Sequence, residues 1–280
     1  MSRRFSQVDV FGAANCTGNP VAVVLDSHDL DDEDLKRFSS WTNLSECTFV
    51  FPPSDPAADY RVRIFSLNTE LPFAGHPTLG TARAWLEAGG IPKNSNRLVQ
   101  ECGIGLVDIQ IEGQHLAFSA PERLRSGPVD DALLNDLLDI LGVKSEQVID
   151  AEWLDNGPGW VGLLLDNATS VLNLKPDASK HPGRWDIGVI APSDSGADTA
   201  FELRAFFTEG HEPLREDPMT GSLNASAAQW LISSGRASAP YVASQGTAMG
   251  RNGRIYISQD AGKLWVGGEA KVVIAGFVNL

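Results

Sequence analysis

Cysteine is scarce in this chain of 280 residues, which contains only Cys16, Cys47 and Cys102. Three widely spaced cysteines do not suggest a disulfide framework, and the odd count is typical of a reducing compartment. No CxxC or HxxxH pattern occurs, so the sequence gives little support for a structural zinc site. We therefore expect a cytoplasmic protein without a metal site.

Long apolar runs are also absent, and no segment approaches the length of a membrane span. The first residues, which include Arg3 and Arg4, are not followed by the apolar region of a signal peptide. Positive charge is in short supply as well, with 22 Lys and Arg against 36 Asp and Glu and a net charge of −14. We expect neither nucleic acid nor a membrane as a partner, because both attract basic surfaces.

The length and the 42% hydrophobic content predict a globular protein with two domains. Short alternating strands outnumber helices, and each half contains one long apolar helix, near residues 82–86 and 227–231. This pattern predicts an α+β fold in which a curled sheet surrounds each helix, rather than a doubly wound parallel sheet. A break at residues 121–128 sets the predicted domains at 1–120 and 121–280, with the last strand able to pack back on the first half.

One stretch, residues 70–80, combines a Pro-bounded loop with the start of a helix. Gly75 and His76 stand at the helix start, and Pro77 lies in the first turn, where its missing N–H has no consequence. The free backbone N–H groups of such a start can bind an anion, such as the carboxylate of a small substrate.

The same design recurs in the second half of the chain. A shift of 146 positions, from 70 to 216, lays residues 70–82 over 216–228 with matching Glu, Pro, Gly and Ala. A shift of 140, from 19 to 159, aligns residues 19–26 with 159–166. Two windows in order and at similar offset predict two half-chains of one architecture. We expect their two helix N-termini to face each other across a cleft.

Four side chains near these segments could carry chemistry. Glu46 precedes an apolar strand and is either a partly desolvated general acid/base or a strand-end carboxylate facing water. A helix N-terminus would keep His76 neutral, although a capping or packing role is an open alternative. Ser222 could cap the second helix, and Asp217 could hold its loop through an Asx-type bond.

The motifs that contain these residues closely resemble the phenazine biosynthesis PhzF-like family. The resemblance rests on Ser-Glu-Cys-Thr-Phe at 45–49, Glu-Leu-Pro-Phe-Ala-Gly-His-Pro at 70–77, and Glu-Asp-Pro-Met-Thr-Gly-Ser at 216–222. The segments at 8–11, 18–20 and 245–251 also resemble the family, so the match covers nearly the whole chain. It implies a diaminopimelate-epimerase-like fold of two pseudo-symmetric halves, a homodimer, and an isomerase that needs no cofactor.

Carried over residue by residue, the resemblance makes Glu46 the catalytic acid/base and assigns site-shaping catalytic roles to His76, Asp217 and Ser222. The predicted substrate is a small carboxylate whose identity the sequence does not give. The residues that we expect to bind it are Asn19, Ser45, Gly75, Thr220 and Gly221. Related epimerases and racemases use two thiols, but neither Gly75 nor Gly221 has a cysteine beside it. Single-base chemistry at Glu46 is therefore expected.

Two other functions are compatible with the same residues. One is a hydrolase with Ser222 as nucleophile, His76 as base and Asp217 as the orienting carboxylate, although no Gly-x-Ser-x-Gly elbow surrounds Ser222. The other is a small-molecule binder that keeps the site but has no catalytic activity.

Overall fold

A computed structural model describes residues 1–208 and 213–280, which form two compact units. The first unit contains residues 1–119 together with 266–280, and the second contains residues 120–265. Residues 266–279 belong to the last strand of the chain, the strand for which the predicted boundaries of 1–120 and 121–280 allowed packing on the first half. No helix in the described part of the chain has both the length and the apolar character needed to cross a membrane.

Sixteen strands and five α-helices alternate along the described residues. Up to residue 119 they are β1 (Ser2–Val10), β2 (Asn19–Val24), α1 (Asp32–Thr42), β3 (Glu46–Phe51), β4 (Tyr60–Ser66), β5 (Thr69–Leu71), α2 (Gly75–Glu87), β6 (Arg97–Cys102), β7 (Gly105–Glu112) and β8 (His115–Ser119). The later elements are α3 (Asp131–Leu141), β9 (Val148–Trp153), β10 (Val161–Leu165), α4 (Ala168–Leu172), β11 (Asp186–Pro192), β12 (Phe201–Phe207), β13 (Arg215–Asp217), α5 (Gly221–Ser233), β14 (Tyr241–Gln245), β15 (Gly253–Asp260) and β16 (Lys263–Asn279).

The first unit is a closed barrel built around α2. Its strands follow the order β1-β2-β3-β4-β6-β7-β8-β16, and β16 pairs antiparallel with β1 to close the ring. Every residue of α2 from Gly75 to Ala84 is buried, and the helix packs against β1, β2, β3, β6 and β8. Arg83 is buried with it and donates hydrogen bonds to the carbonyls of Gly113 and Ala270.

Helix α1 covers the outer face of this barrel. Asp31 caps it by accepting a hydrogen bond from the N–H of Asp34, and Asn43 ends it in the left-handed conformation. Its apolar side chains Leu35 and Phe38 pack against β2 and β3 in a cluster that includes Cys47. Alternate residues of β3 therefore face α1 on one side and α2 on the other.

The second unit repeats this plan around α5. Its strands follow the order β9-β10-β11-β12-β14-β15, and β13 pairs with β12. Helix α5 is buried along most of its length, including Trp230 and Leu231. Helix α3 and helix α4 contribute Leu137, Ile140 and Val171 to a second cluster against β10 and β11.

The internal repeat predicted from the sequence extends to the strand pairing. The shift of 146 places α2 on α5, from 75 to 221, and β5 on β13, from 69 to 215. In each unit a parallel pair, β2–β3 or β10–β11, continues into an antiparallel pair, β3–β4 or β11–β12. The predicted α+β fold of two pseudo-symmetric halves, each a sheet around a central helix, is confirmed. The expectation that the two helix starts face one another stays a prediction.

Gly80 shows how closely α2 fits inside its barrel. A Cβ atom at this position would lie 2.2 Å from Cγ1 of Val21, a fully buried side chain. We predict that Gly80→Ala lowers the free energy of unfolding by about 1–3 kcal/mol through overpacking, although alanine is the better helix former. Urea unfolding measures the change.

Gly276 is the matched control, because a Cβ there meets no atom within 4 Å. We expect Gly276→Ala to change the unfolding free energy by less than about 0.5 kcal/mol. Equal stability of the Gly80→Ala variant and the parent chain would contradict the tight fit of the helix.

Candidate functional site

The starts of β2, β3 and α2 meet at one edge of the first unit. Because β2 and β3 are parallel, Asn19 and Glu46, the first residues of these strands, lie at the same edge of the sheet. The hydroxyl of Thr48, two residues after Glu46, accepts a hydrogen bond of 2.8 Å from the hydroxyl of Thr81 in α2. Glu46 therefore points to the α2 side of the sheet, and 16% of its side chain is exposed.

His76 contacts both of these side chains. Its Nε2 lies 3.2 Å from Oε2 of Glu46, and its Nδ1 lies 3.2 Å from the amide nitrogen of Asn19. Only 4% of His76 is exposed, and this burial lowers its pKa to about 3, so the ring is neutral near pH 7. Since the Asn19 amide nitrogen can only donate, Nδ1 accepts and the ring proton resides on Nε2, facing Glu46.

The start of α2 adds backbone donors to this group. The N-cap residue, Ala74, has no side chain that could cap the helix, and the first helical residues are Gly75 and His76. Their N–H groups belong to the turn that has no intrahelical acceptor. Ser45 is half-buried directly before Glu46. The first unit thus brings together Asn19, Glu46, Gly75 and His76.

In the second unit, Asp217 and Thr220 form the approach to α5. Asp217 ends β13, and its Oδ2 accepts a hydrogen bond of 2.5 Å from the hydroxyl of Thr220. Thr220 is the N-cap residue of α5, yet its side chain does not cap the helix. The backbone donors at Gly221 and Ser222 therefore have no side-chain cap, as at the start of α2.

Ser222 is the second residue of α5 and not its cap, which differs from the expectation from the sequence. Its Oγ accepts a hydrogen bond of 3.0 Å from Nε1 of Trp160, and its carbonyl accepts one of 2.9 Å from the side chain of Asn156. Trp160 immediately precedes β10, so it relates to Ser222 as Asn19 relates to His76. The parallel pair β10–β11 again places strand starts beside a helix start.

A buried glutamine to which the sequence interpretation gave no role, the first residue of the motif at 245–251, fixes the 217–221 segment. Gln245 is fully buried; its Oε1 accepts from the N–H of Thr220 at 3.0 Å and from the amide of Asn224 at 2.8 Å. Its Nε2 donates to the carbonyl of Asp217 at 3.1 Å and to the hydroxyl of Thr220 at 3.0 Å. Gly246 follows with a φ of 87°, and a Cβ there would lie 2.7 Å from the carbonyl oxygen of Pro218. The sequence feature that could have indicated this role is a polar residue directly before a glycine that a positive φ requires.

Asp186, the first residue of β11, was also overlooked. Only 11% of its side chain is exposed, and burial raises its pKa to about 6 although Arg184 lies 3.0 Å away and opposes the shift. In the sequence, Asp186 is only a polar residue at the end of an apolar strand, which gives no indication of a role. As for metals, the part of the chain that the structure describes has no group of three or more His, Cys, Asp or Glu side chains arranged to hold an ion.

Comparison with known proteins gives a match over nearly the full length. The family profile described as phenazine biosynthesis-like protein matches residues 8–276. "Antisense-enhancing sequence 1" of Schizosaccharomyces pombe is 35% identical, with 97% of each chain covered. Trans-2,3-dihydro-3-hydroxyanthranilate isomerase of Pseudomonas chlororaphis is 37% identical over 77% of this chain and 74% of its own. A solved PhzF-family structure from Bacillus anthracis shares the fold, with a TM-score of 0.82 at 22% identity over the whole of both chains.

The four hydrogen bonds of Gln245 predict a large effect of its removal. Gln245→Leu removes the side-chain partner of the Thr220 N–H and of the Asp217 carbonyl, and it leaves the Asn224 amide with the Thr220 carbonyl as its acceptor. We expect the free energy of unfolding to fall by about 3 kcal/mol, because each buried polar group that loses its partner costs about 1–3 kcal/mol. Chemical denaturation followed by circular dichroism measures this loss.

Gln229 in α5 provides the control, since it is half-buried and its amide makes one hydrogen bond, to the carbonyl of Pro121. Gln229→Leu should cost about 1 kcal/mol or less. If both leucine variants lose the same stability, the Gln245 network is not what holds the segment in place.

Proposed function

The chain belongs to the phenazine biosynthesis-like family and is an isomerase, and on this premise we propose that it moves a proton on a small carboxylate substrate without a cofactor. In this proposal Glu46 is the single general acid/base. The observation that carries it is the contact between the partly exposed Glu46 carboxyl and the buried, neutral His76 ring, 3.2 Å apart.

The neutral state of His76 supports this role for Glu46. A protonated imidazole would hold Glu46 as a fixed ion pair and lower its basicity. The neutral ring instead offers one N–H, which can orient the Glu46 carboxylate. This N–H can stay in contact with the carboxyl group when Glu46 becomes protonated. Asn19 fixes which ring nitrogen carries that proton, because its amide nitrogen occupies the Nδ1 side.

The proton balance of the proposed step is simple. The Glu46 carboxylate takes a proton from a substrate carbon, and the electron pair of the broken C–H bond moves into the adjacent conjugated system. The same carboxyl group then returns the proton to another carbon on that face of the substrate. Nothing is oxidised or reduced overall, so the step needs no redox group.

The helix starts support the proposed substrate class. At the start of α2 the N–H groups of Gly75 and His76 have no side-chain cap, and the same holds for Gly221 and Ser222 at α5. Such amides bind carboxylates and stabilise negative charge as it develops on a substrate. We propose a binding role for Thr220, whose hydroxyl donates a hydrogen bond to the Asp217 carboxylate. We propose the same role for the other residues named from the sequence: Asn19, Ser45, Gly75 and Gly221.

The name of the Pseudomonas chlororaphis relative describes one molecule of this class, a dihydro ring acid with an amine and a hydroxyl group. We propose a small ring carboxylate that carries an amine as the substrate class of this chain too. A hydrolase mechanism gains no support, because the Oγ of Ser222 accepts from Trp160 and the His76 ring contacts Glu46 and Asn19.

Substitution of Glu46 tests the proposed catalytic role. The assay measures deuterium uptake from heavy water into small ring carboxylates, beginning with trans-2,3-dihydro-3-hydroxyanthranilate. We expect Glu46→Gln to reduce uptake at least about 100-fold, because an amide cannot accept the substrate proton. Melting curves verify that the variant is folded.

The exposed Glu112 of the same unit gives the control, and Glu112→Gln should leave uptake unchanged. Uptake by the Glu46→Gln variant above a few per cent of the parent value would disprove the role of Glu46. Binding of a carboxylate by the parent protein without any deuterium entering it would favour the non-catalytic binder.

We also propose, from the family resemblance, that the protein acts as a homodimer in the cytoplasm. None of its three cysteines, all of which lie in the described part of the chain, forms a disulfide, which supports a reducing compartment. Sedimentation equilibrium should give about twice the chain mass of 30.1 kDa. A single species at the chain mass at micromolar concentration would contradict the dimer.

A further inference from the structure

Asp186 occupies the position in the second unit that Glu46 occupies in the first. Cys47 pairs with Phe65 in the antiparallel pair β3–β4, and Ile187 pairs with Phe206 in the corresponding pair β11–β12. Cys47 and Ile187 both face the outer helices of their units. The residue before each of them begins its strand and carries a carboxyl group.

The direction of the Asp186 side chain follows from its neighbour two residues later. A Cβ at Gly188 would lie 2.3 Å from Cδ1 of Leu223, the third residue of α5. Because alternate residues of a strand share a face, Asp186 points to the α5 side of β11. Thr48 and Thr81 give the same relation between Glu46 and α2.

The surroundings of Asp186 connect it with the start of α5. Its Oδ2 would lie 3.7 Å from a Cβ on Gly159, so it borders the loop 155–159. That loop supplies the Asn156 amide to the carbonyl of Ser222, and Trp160 follows it directly. Asp186 is therefore a neighbour of the segment that surrounds Ser222.

The hydrogen bonds of Asp186 leave one of its oxygens available. Oδ2 accepts from Nε of Arg184, a side chain that is itself mostly exposed. Within residues 1–208 and 213–280, the structure shows no hydrogen-bond partner for Oδ1. Burial and the nearby Asp155 raise the pKa of Asp186 more than Arg184 lowers it. The ionised form of this carboxyl is therefore less favourable in the folded protein than in water.

We propose that Asp186 is a substrate-binding residue of the second unit and that its carboxylate accepts hydrogen bonds from the amine of an amino-carboxylate substrate. A carboxylate offers only acceptors, so its ligand must be a donor, and an alkylammonium group supplies donors together with a compensating charge. This assignment rests on the proposed function and goes beyond it by naming the residue that binds the amine of the substrate.

Two probes that differ only in the amine test the assignment. Isothermal titration calorimetry compares trans-2-aminocyclohexanecarboxylate with cyclohexanecarboxylate on the full chain, on Asp186→Asn and on Asp198→Asn. Asp198 is the matched control, because it also forms an ion pair with an arginine of the second unit, Arg254, but is exposed. We expect the parent protein and Asp198→Asn to bind the amine-bearing probe at least about tenfold more tightly than the other probe.

Asp186→Asn should lose at least about tenfold in affinity for the amine-bearing probe and stay within about twofold for cyclohexanecarboxylate. An equal loss for both probes would mean that Asp186 only supports the loop, and the proposal would be wrong. The proposal would also be wrong if Asp186→Asn still preferred the amine-bearing probe, or if the parent protein bound both probes equally. Either result would leave the proposed binding of a small carboxylate unaffected. If the parent binds neither probe, the substrate class under the proposed function fails, and the role of Asp186 with it.

A second readout separates binding from a structural ion pair with Arg184. Since the pKa of Asp186 rises from 3.8 to about 6 on folding, its ionised form weakens the fold as pH increases through this range. The melting temperature of Asp186→Asn minus that of the parent should therefore increase between pH 4 and 6. This difference should remain at pH 7.5. A melting temperature below the parent's at pH 7.5, for both Asp186→Asn and the smaller Asp186→Ser, would show a structural ion pair and overturn the proposal.

Discussion

The enclosure of an apolar helix by a curled sheet is the constraint on which the site depends. In the first unit, α2 is buried from Gly75 to Ala84 inside a ring of eight strands. Buried backbone must find hydrogen-bond partners, and a helix satisfies its own everywhere except at its ends. The first turn of α2, beside the starts of β2 and β3, is therefore the part of the helix whose N–H groups have no intrahelical acceptor. The proposed binding of a substrate carboxylate would use these N–H groups, so it would follow from the same arrangement that packs the helix.

Parallel pairing at that edge then decides which side chains surround the helix start. Because β2 and β3 run in the same direction, both present their first residues there, and these are Asn19 and Glu46. In the second unit the pair β10–β11 does the same with Trp160, next to β10, and Asp186. Sequence positions that lie far apart, such as 19, 46 and 76, thus become neighbours through topology.

Electrostatics gives these two carboxyl groups different surroundings. Glu46 faces a histidine that burial keeps neutral, while Asp186 faces an exposed arginine beside a glycine-containing loop. A neutral donor can stay in contact with a carboxyl group in both of its protonation states, which suits proton transfer. A carboxyl group that stays charged although burial raises its pKa suits the recognition of a donor. The repeated architecture therefore carries two carboxyl groups with different chemical properties.

Much of this molecule could be predicted from local sequence features. The 146-residue repeat, the small residues at both helix starts and the alternating strands were sufficient for the fold, because periodicity and turn chemistry are local properties. The motifs containing Glu46, His76 and Asp217 were visible for the same reason. Gln245 and Asp186 received no role, because their significance comes from residues that are distant in sequence, such as Thr220 and Asn224 for Gln245 and Gly159 for Asp186.

By itself the sequence determined the elements, their repetition and the residue types at the helix starts. A neutral His76 was predicted from its helix start, but only the tertiary structure showed that burial lowers its pKa and that Asn19 on the Nδ1 side directs the ring proton toward Glu46. It likewise decided that residues 266–280 close the first barrel, since strand pairing over such a separation is set by the competition for sheet edges and not by local preference.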